Sequence, residues 1–311
     1  MYNDWEKSIL AAIAYFDFLG YPLSLMELVK WVESEADIVA VKKILATDNL
    51  SDKIESRCGF YYWRGRQGLI KNRLSRYSLA DGKYKKAVCL AKVFKYFPFI
   101  RSIAVCGSLS SGNAAADSDI DLFVVAADNH VWTARFFLNS FLKIFGLRSS
   151  GPNKKDKICC SFFTGRANQD LSRIEHYKNE IHFGYWLAQF NFIYGNQRND
   201  FENNNNWLKQ KLPNLNFNRP NRRRRVFDAW FSKLTRGFLE LIFGFGPPAG
   251  GWEIFFRWLQ IKIMPANYKK LAQSGQEVII NKQMIKTHAD GKARDINRLL
   301  AYKLNDLGIY E

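Results

Sequence analysis

The sequence predicts an α+β chain in which a small strand-bearing unit lies between a helical unit before it and a basic helical region after it. Three observations predict this. Apolar residues recur at three- and four-residue steps in several segments, which is the period of an amphipathic helix. Two short, β-branched, apolar runs, Ile100 to Val105 and Ile120 to Ala126, enclose a small, polar, glycine-containing segment. Beyond Ile193 the chain turns polar and then basic, with Asn203-Asn204-Asn205-Asn206 and Arg222-Arg223-Arg224-Arg225 marking a boundary zone rather than a repeat.

In the first unit, residues 1–78, helices are predicted over Ser8 to Phe18, Ser24 to Val32 and Ile38 to Ala46. Ser24 is the expected N-cap of the second, its hydroxyl accepting a backbone N–H. Strand-forming residues from Ile54 to Trp63 flank Cys58-Gly59, where glycine supplies the positive φ of a tight turn. This order resembles a winged helix, which implies nucleic-acid docking with the third helix in a groove and the hairpin as a wing. Lys42 and Lys43 are the third helix's only cations, a thin charge for facing phosphates, so a protein-contact or packing module stays open.

The central unit, residues 79–200, opens with a helix from Lys83 to Tyr96, on which Ala87, Leu90, Ala91 and Phe94 share a face. The two strands named above follow, then a helix from Val131 to Phe145 and a third strand from Lys157 to Phe163. A helix including Glu180 to Phe190 is expected to pack its aromatics in a core, with His182 as a hydrogen-bonded structural histidine.

The last third, residues 201–311, holds 19 Lys or Arg against 9 Asp or Glu and carries most of the formal charge of +17. That charge favours polyanionic partners such as nucleic acid, nucleotides or anionic lipid surfaces. Phe227, Trp230, Phe231, Leu234, Phe238, Leu241 and Ile242 line one helix face, and Trp252 to Met264 resumes the pattern after a Gly-Pro-rich break. The expectation for this stripe is an ordinary helical-bundle face, with a membrane-surface or RNA-following helix as the competing reading. Asp228, Lys233, Arg236, Glu240, Glu253, Arg257 and Lys262 interrupt the segment, so no stable membrane insertion is expected.

The five cysteines form no CxxC pair and the four histidines have no metal-ligand spacing, which argues against a zinc site. The first residues lack a basic-then-apolar signal pattern, so a cytoplasmic protein is expected. Oligomeric state and base preference have no legible signature here.

The chemistry concentrates between Val105 and Leu122. Gly107 allows a close backbone turn after a strand, and Ser108 opens a short helix whose N–H groups and hydroxyl can face an anion. Asp119 and Asp121 alternate with Ile120 on a strand and so project from one face. Paired carboxylates suit magnesium, which prefers hard oxygen ligands and bridges protein carboxylates to substrate phosphates. A lone Asp-x-Asp also occurs in solvated turns and helix caps, but neither explains the preceding Gly-Ser.

The order strand, Gly107-Ser108, small polar loop, Asp119-Ile120-Asp121-Leu122 in a second strand resembles the DNA polymerase beta superfamily of nucleotidyltransferases. The resemblance covers roughly residues 83 to 165. It implies a small mixed sheet with helices against one side, Gly107 and Ser108 on the nucleotide triphosphate, and Asp119 and Asp121 on Mg2+ or Mn2+. It also implies transfer of a nucleoside monophosphate from a nucleoside triphosphate to an acceptor hydroxyl, with release of pyrophosphate. Members of that superfamily usually bring a third carboxylate from a later strand. The later strand here, Lys157-Ile158-Cys159-Cys160-Ser161-Phe162-Phe163, contains no acid. Asp156 at its start is the first substitute for that catalytic position, Asp170 and Glu175 rank behind it, and Asp117 reads as a solvated loop residue. The basic surplus points to RNA or another polyanionic acceptor. The competing function is a catalytically inactive, nucleotide-sensing, nucleic-acid-binding regulator.

Overall fold

Asn3 opens the first helix by a reciprocal cap, its side chain accepting from the Glu6 N–H at 2.9 Å while Glu6 accepts from the Asn3 N–H. The computed structural model describes residues 2–151, 153–174, 181–244, 251–273, 278–287 and 292–309. That first helix, α1 (Asp4–Phe18), is followed by β1 (Leu23–Ser24), α2 (Leu25–Trp31), α3 (Ile38–Leu45), α4 (Asp48–Ser51), β2 (Ile54–Arg57) and β3 (Phe60–Trp63). Ser24 caps α2 as expected, in a capping box with Glu27. Cys58 and Gly59 both take positive φ, 53° and 78°, as a two-residue hairpin turn between β2 and β3 requires. The three strands form an antiparallel sheet in the order β1-β3-β2.

Helix α5 (Gly68–Phe94) is 27 residues long and starts well before the apolar periodicity that predicted it. Its first half is fixed by cations. The Arg73 guanidinium donates to both Glu27 carboxylate oxygens, at 2.8 and 2.9 Å, and stacks on the Tyr21 ring. Its second half buries Ala87, Leu90, Ala91 and Phe94 against the central sheet.

The central sheet continues through β4 (Ile100–Val105), α6 (Gly107–Ser110), β5 (Ile120–Ala126), α7 (Val131–Ile144), β6 (Ile158–Gly165), α8 (Ile181–Ala188) and β7 (Asn191–Gly195). The last third supplies α9 (Arg198–Asn204), α10 (Leu208–Lys211), α11 (Trp230–Gly244), α12 (Gly251–Ile263), α13 (Ala266–Gln273), β8 (Ile279–Ile280), β9 (Met284–Lys286) and α14 (Lys292–Asp306). Strand order in the six-stranded mixed sheet is β7-β4-β5-β6-β9-β8, with β5 and β6 parallel and the other pairs antiparallel. The last third is therefore not helical throughout, because β9 extends the sheet by pairing Phe163 with Ile285.

Both sheet faces are covered, where the resemblance implied helices on one side. Leu122 and Val124 face a core with α5 and α7, while Phe123 and Val125 face a second core with α1, α8 and α14. The alternation of side chains along β5 sends large apolar residues to each side, so neither face can be left to water. His182 lies half-buried at the edge of the second core, its Nδ1 2.8 Å from the Tyr15 hydroxyl, while Phe183, Tyr185 and Phe190 of the same segment are buried in that core. Glu180, the start of the predicted helix, lies outside the described residues.

The aromatic stripe of α11 differs from expectation in orientation. Trp230, Phe231, Leu234, Phe238 and Leu241 are exposed, and the polar side of the helix packs inward instead. Among the described residues no helix is long and apolar enough to cross a membrane.

Candidate nucleotide and metal site

The site lies where β4 and β5 begin and end their pairing. β4 ends at Val105, the Cys106 N–H donates to the Asp121 carbonyl at 3.0 Å, and Gly107 turns the chain at φ 65° into α6. A Cβ on Gly107 would lie 2.6 Å from Asp121 Oδ2, so glycine is required both by the positive φ and by the carboxylate against it. The two halves of the sequence motif are thus side by side.

The loop between α6 and β5 is tied down on both sides. Asn113 donates to the Leu19 carbonyl at 2.9 Å and accepts from Arg76 of α5 at 2.9 Å. Lys83, almost fully buried, donates to the Ser118 carbonyl at 2.6 Å and to Asp156 at 2.8 Å. Ser108 stays exposed, and Asp117 is exposed beside Ser118. These ties hold the backbone immediately before Asp119.

Asp119 accepts from the Ser149 hydroxyl at 2.7 Å. Asp121, two residues on, is paired in register with Cys159 of the parallel strand β6. One ligand atom from each of Asp119, Asp121 and Cys159 lies within 4.8 Å of the others, which is the spacing of a shared cation site. The thiols on either side of this group differ from it in burial: those of Cys106 and Cys160 are pushed well up by burial, the former also by Asp121.

Of the residues expected from sequence, Gly107, Ser108, Asp119 and Asp121 are brought together. Asp156 is not part of the group. It has φ 57°, and its carboxyl is held below the usual carboxylate range chiefly by the hydrogen bond from Lys83. Asp170 is likewise occupied locally, accepting from the Ser172 N–H and hydroxyl at 3.1 and 2.6 Å. Glu175 lies outside the described residues. The third side chain grouped with Asp119 and Asp121 is Cys159, not an acid. Sequence reasoning passed over it because it looked for a carboxylate; the available signal was that Cys159 is the second residue of a strand beginning like β5, where Asp121 is also second.

A cavity of about 780 Å³ opens beside Asp119 and Cys159. Arg135, Lys143, Arg148 and Lys154 contribute cations to its wall, and Phe136, Met264 and Tyr268 contribute apolar surface. Arg135 of α7 is buried, donates to Gln260 at 2.7 Å, and has a pKa lowered by burial to about 10. Its Nε is buried with no hydrogen-bond partner among the described residues. A second cavity of about 440 Å³, lined by Asp128, Arg166 and Asp200, contains none of these site residues.

A glycine turn, an exposed serine and paired carboxylates beside a cation-lined cavity suit a centre that handles phosphate next to a divalent metal. Residues 89–186 match the family model described as a nucleotidyltransferase domain, a span that runs from the last turns of α5 into α8 and includes Gly107, Ser108, Asp119, Asp121 and Cys159. The match supports nucleotidyl transfer, with a nucleoside triphosphate as substrate, as the general function of that segment. No curated protein matches the chain, and no solved structure does.

Proposed function

We propose that the central segment is a divalent-metal-dependent nucleotidyltransferase in which Gly107 and Ser108 hold the triphosphate and Asp119 and Asp121 hold the metal. The observation that carries this reading is the close approach of the Asp121 carboxylate to Gly107, which supports a phosphate turn and metal ligands acting as one centre. The donor set fits the metal in part. Two carboxylates suit Mg2+ or Mn2+, whereas the Cys159 thiol is a soft donor that magnesium does not favour and manganese tolerates better. A bound cation would supply charge neutralisation at the α-phosphate and at the leaving oxygens.

The chain's own residues do the rest. The N–H groups at the start of α6 and the Ser108 hydroxyl orient the triphosphate, and Ser149 fixes the rotamer of Asp119. Arg135, Lys143, Arg148 and Lys154 attract the polyanionic reactants into the cavity. The acceptor hydroxyl oxygen forms a bond to the α-phosphorus as the bond to pyrophosphate breaks, with the hydroxyl proton passing to solvent or to an Asp119 or Asp121 oxygen. The flanking segments, residues 1–78 and 201–311, serve the acceptor. The order α1-β1-α2-α3-α4-β2-β3, in which α4 is a single turn, and the sheet β1-β3-β2 support the winged-helix reading of the first, and charge supports RNA or another polyanion as acceptor.

One observation favours a second reading, a nucleotide sensor without turnover: the third side chain grouped with Asp119 and Asp121 is Cys159, not an acid. Pyrophosphate release from each ribonucleoside triphosphate, with Mg2+ or Mn2+ and with and without bulk RNA, separates the two. Release that disappears in Asp119→Ala/Asp121→Ala establishes the transferase. Silence of the wild type, with nucleotide binding retained, establishes the sensor.

A further inference from the structure

Helices α11 and α12 are amphipathic in the reverse sense, with their polar sides toward the protein and their apolar sides toward solvent. On α11, Trp230, Phe231, Leu234, Phe238, Leu241 and Ile242 fall within an arc of about 120° at 3.6 residues per turn. Trp230 is 77% exposed and Phe238 62%. The opposite side carries Arg236, which pairs with Asp228 at 3.2 Å, and Glu240, which pairs with Arg101 at 2.6 Å and accepts from the Phe99 N–H at 2.7 Å. Ser232 is fully buried on that side.

The same inversion holds on α12. Glu253 points inward and accepts from the Trp132 and Thr133 N–H groups at 2.9 and 2.8 Å, and Gln260 donates to the Trp132 carbonyl at 2.8 Å. Ile254, Phe255 and Trp258 point outward, Ile254 at 65% exposure and Trp258 at 55%. The two helices meet where Phe243 packs on Trp252, ring centroids 5.4 Å apart, and are held inward by these polar groups together with the buried Phe256, so each presents an apolar, aromatic-rich face to solvent, larger than the scattered apolar residues of an ordinary protein exterior.

The charge around this surface selects its occupant. Between Arg219 and Lys270 the sequence holds 11 Lys or Arg and 3 Asp or Glu. All three acids, Asp228, Glu240 and Glu253, are engaged in the inward contacts just described, whereas Arg223, Arg225, Lys233 and Lys262 are exposed. The rim is thus predominantly cationic, and the exposed Asp228 is neutralised by its pairing with Arg236. A second copy would bring two such rims together and be repelled. A single-stranded nucleic acid would use the aromatics, but Leu234, Leu241, Ile242 and Ile254 offer no ring on which a base can stack.

We infer that α11 and α12 form a platform that docks this protein on an anionic lipid bilayer surface, the apolar side chains entering the headgroup boundary and the cations pairing with lipid phosphates. Ile263, at the end of α12, is 71% exposed and also belongs to the wall of the cavity beside Asp119. The platform acts without spanning the bilayer, in keeping with the absence of a membrane-crossing helix among the described residues.

The test is co-sedimentation of the full chain with phosphatidylcholine vesicles, pure or with about one-third phosphatidylglycerol. The wild type is expected to sediment with the anionic vesicles, less at high salt, and only weakly with the neutral ones. Trp230→Ser/Phe238→Ser/Trp258→Ser, at exposed positions that leave the fold and melting temperature unchanged, should weaken that binding at least about tenfold. Arg223→Gln/Arg225→Gln should remove most of the preference for anionic lipid. Absence of binding to anionic vesicles at low salt overturns the inference, as does undiminished binding by the triple variant. A lipid-free dimer dissolved by the same triple substitution would assign the surface to a second copy. RNA binding lost in the triple variant, with vesicles inert, would assign it to nucleic acid.

Discussion

Replacing Gly107 by alanine tests the centre at its tightest point. Two costs arise. The backbone is held at φ 65°, where a Cβ costs about 1–2 kcal/mol. The new methyl would also lie 2.6 Å from Asp121 Oδ2, whereas ordinary contact begins at 3.4 Å, so carboxylate and turn must separate by about 0.8 Å. A misplacement near 1 Å in a catalytic centre costs on the order of a hundredfold in rate. Gly107→Ala is therefore expected to lower stability by about 1–2 kcal/mol in denaturant unfolding, and pyrophosphate release by roughly a hundredfold at saturating nucleotide. Because Asp121 is displaced, Mn2+ affinity measured by electron paramagnetic resonance should fall as well, a readout that does not depend on turnover. A variant of unchanged stability and unchanged Mn2+ affinity would refute the claim that turn and carboxylate form one unit.

Further outcomes follow from neighbouring contacts. Cys159→Asp places a hard ligand beside Asp119 and Asp121 and should raise Mg2+ affinity by about tenfold in a calorimetric titration, whereas Asp156→Asn should leave it unchanged. Lys83→Met removes the bonds to Ser118 and Asp156 and should cost about 2 kcal/mol in denaturant unfolding. The Asp156 carboxyl titrates lower in the folded chain than its usual 3.8, so its pairing stabilises above that pH and is lost as pH falls through the folded value. Acid-induced loss of stability below about pH 3.8 should accordingly be smaller in Lys83→Met, by only tenths of a kcal/mol because the Asp156 side chain is 42% exposed and screened. Glu253→Ala uncaps the first turn of α7 by removing three hydrogen bonds, those from the Trp132 N–H, the Thr133 N–H and the Thr133 hydroxyl, and should lower stability by about 1–2 kcal/mol in thermal unfolding.

The sequence by itself determined the parts of this protein that depend on neighbours in the chain. The Ser24 cap, the Cys58-Gly59 turn, the strands on either side of Gly107-Ser108 and the common face of Asp119 and Asp121 follow from local backbone geometry, and each is visible in a few residues. What depends on pairing between distant segments was not legible. Cys159 joins the site only because β6 runs parallel to β5 in one register, and β9 reaches that sheet from more than 100 residues away. Asp156 looked like a site residue by position, but the buried ammonium of Lys83, 73 residues earlier, holds it elsewhere. The hydrophobic period likewise showed that α11 has two faces without showing which one turns inward. That choice belonged to tertiary structure, because Arg101 and the Phe99 N–H donate to Glu240 and the Tyr194 hydroxyl accepts from Arg236, and a helix whose polar groups find such partners leaves its apolar stripe outside.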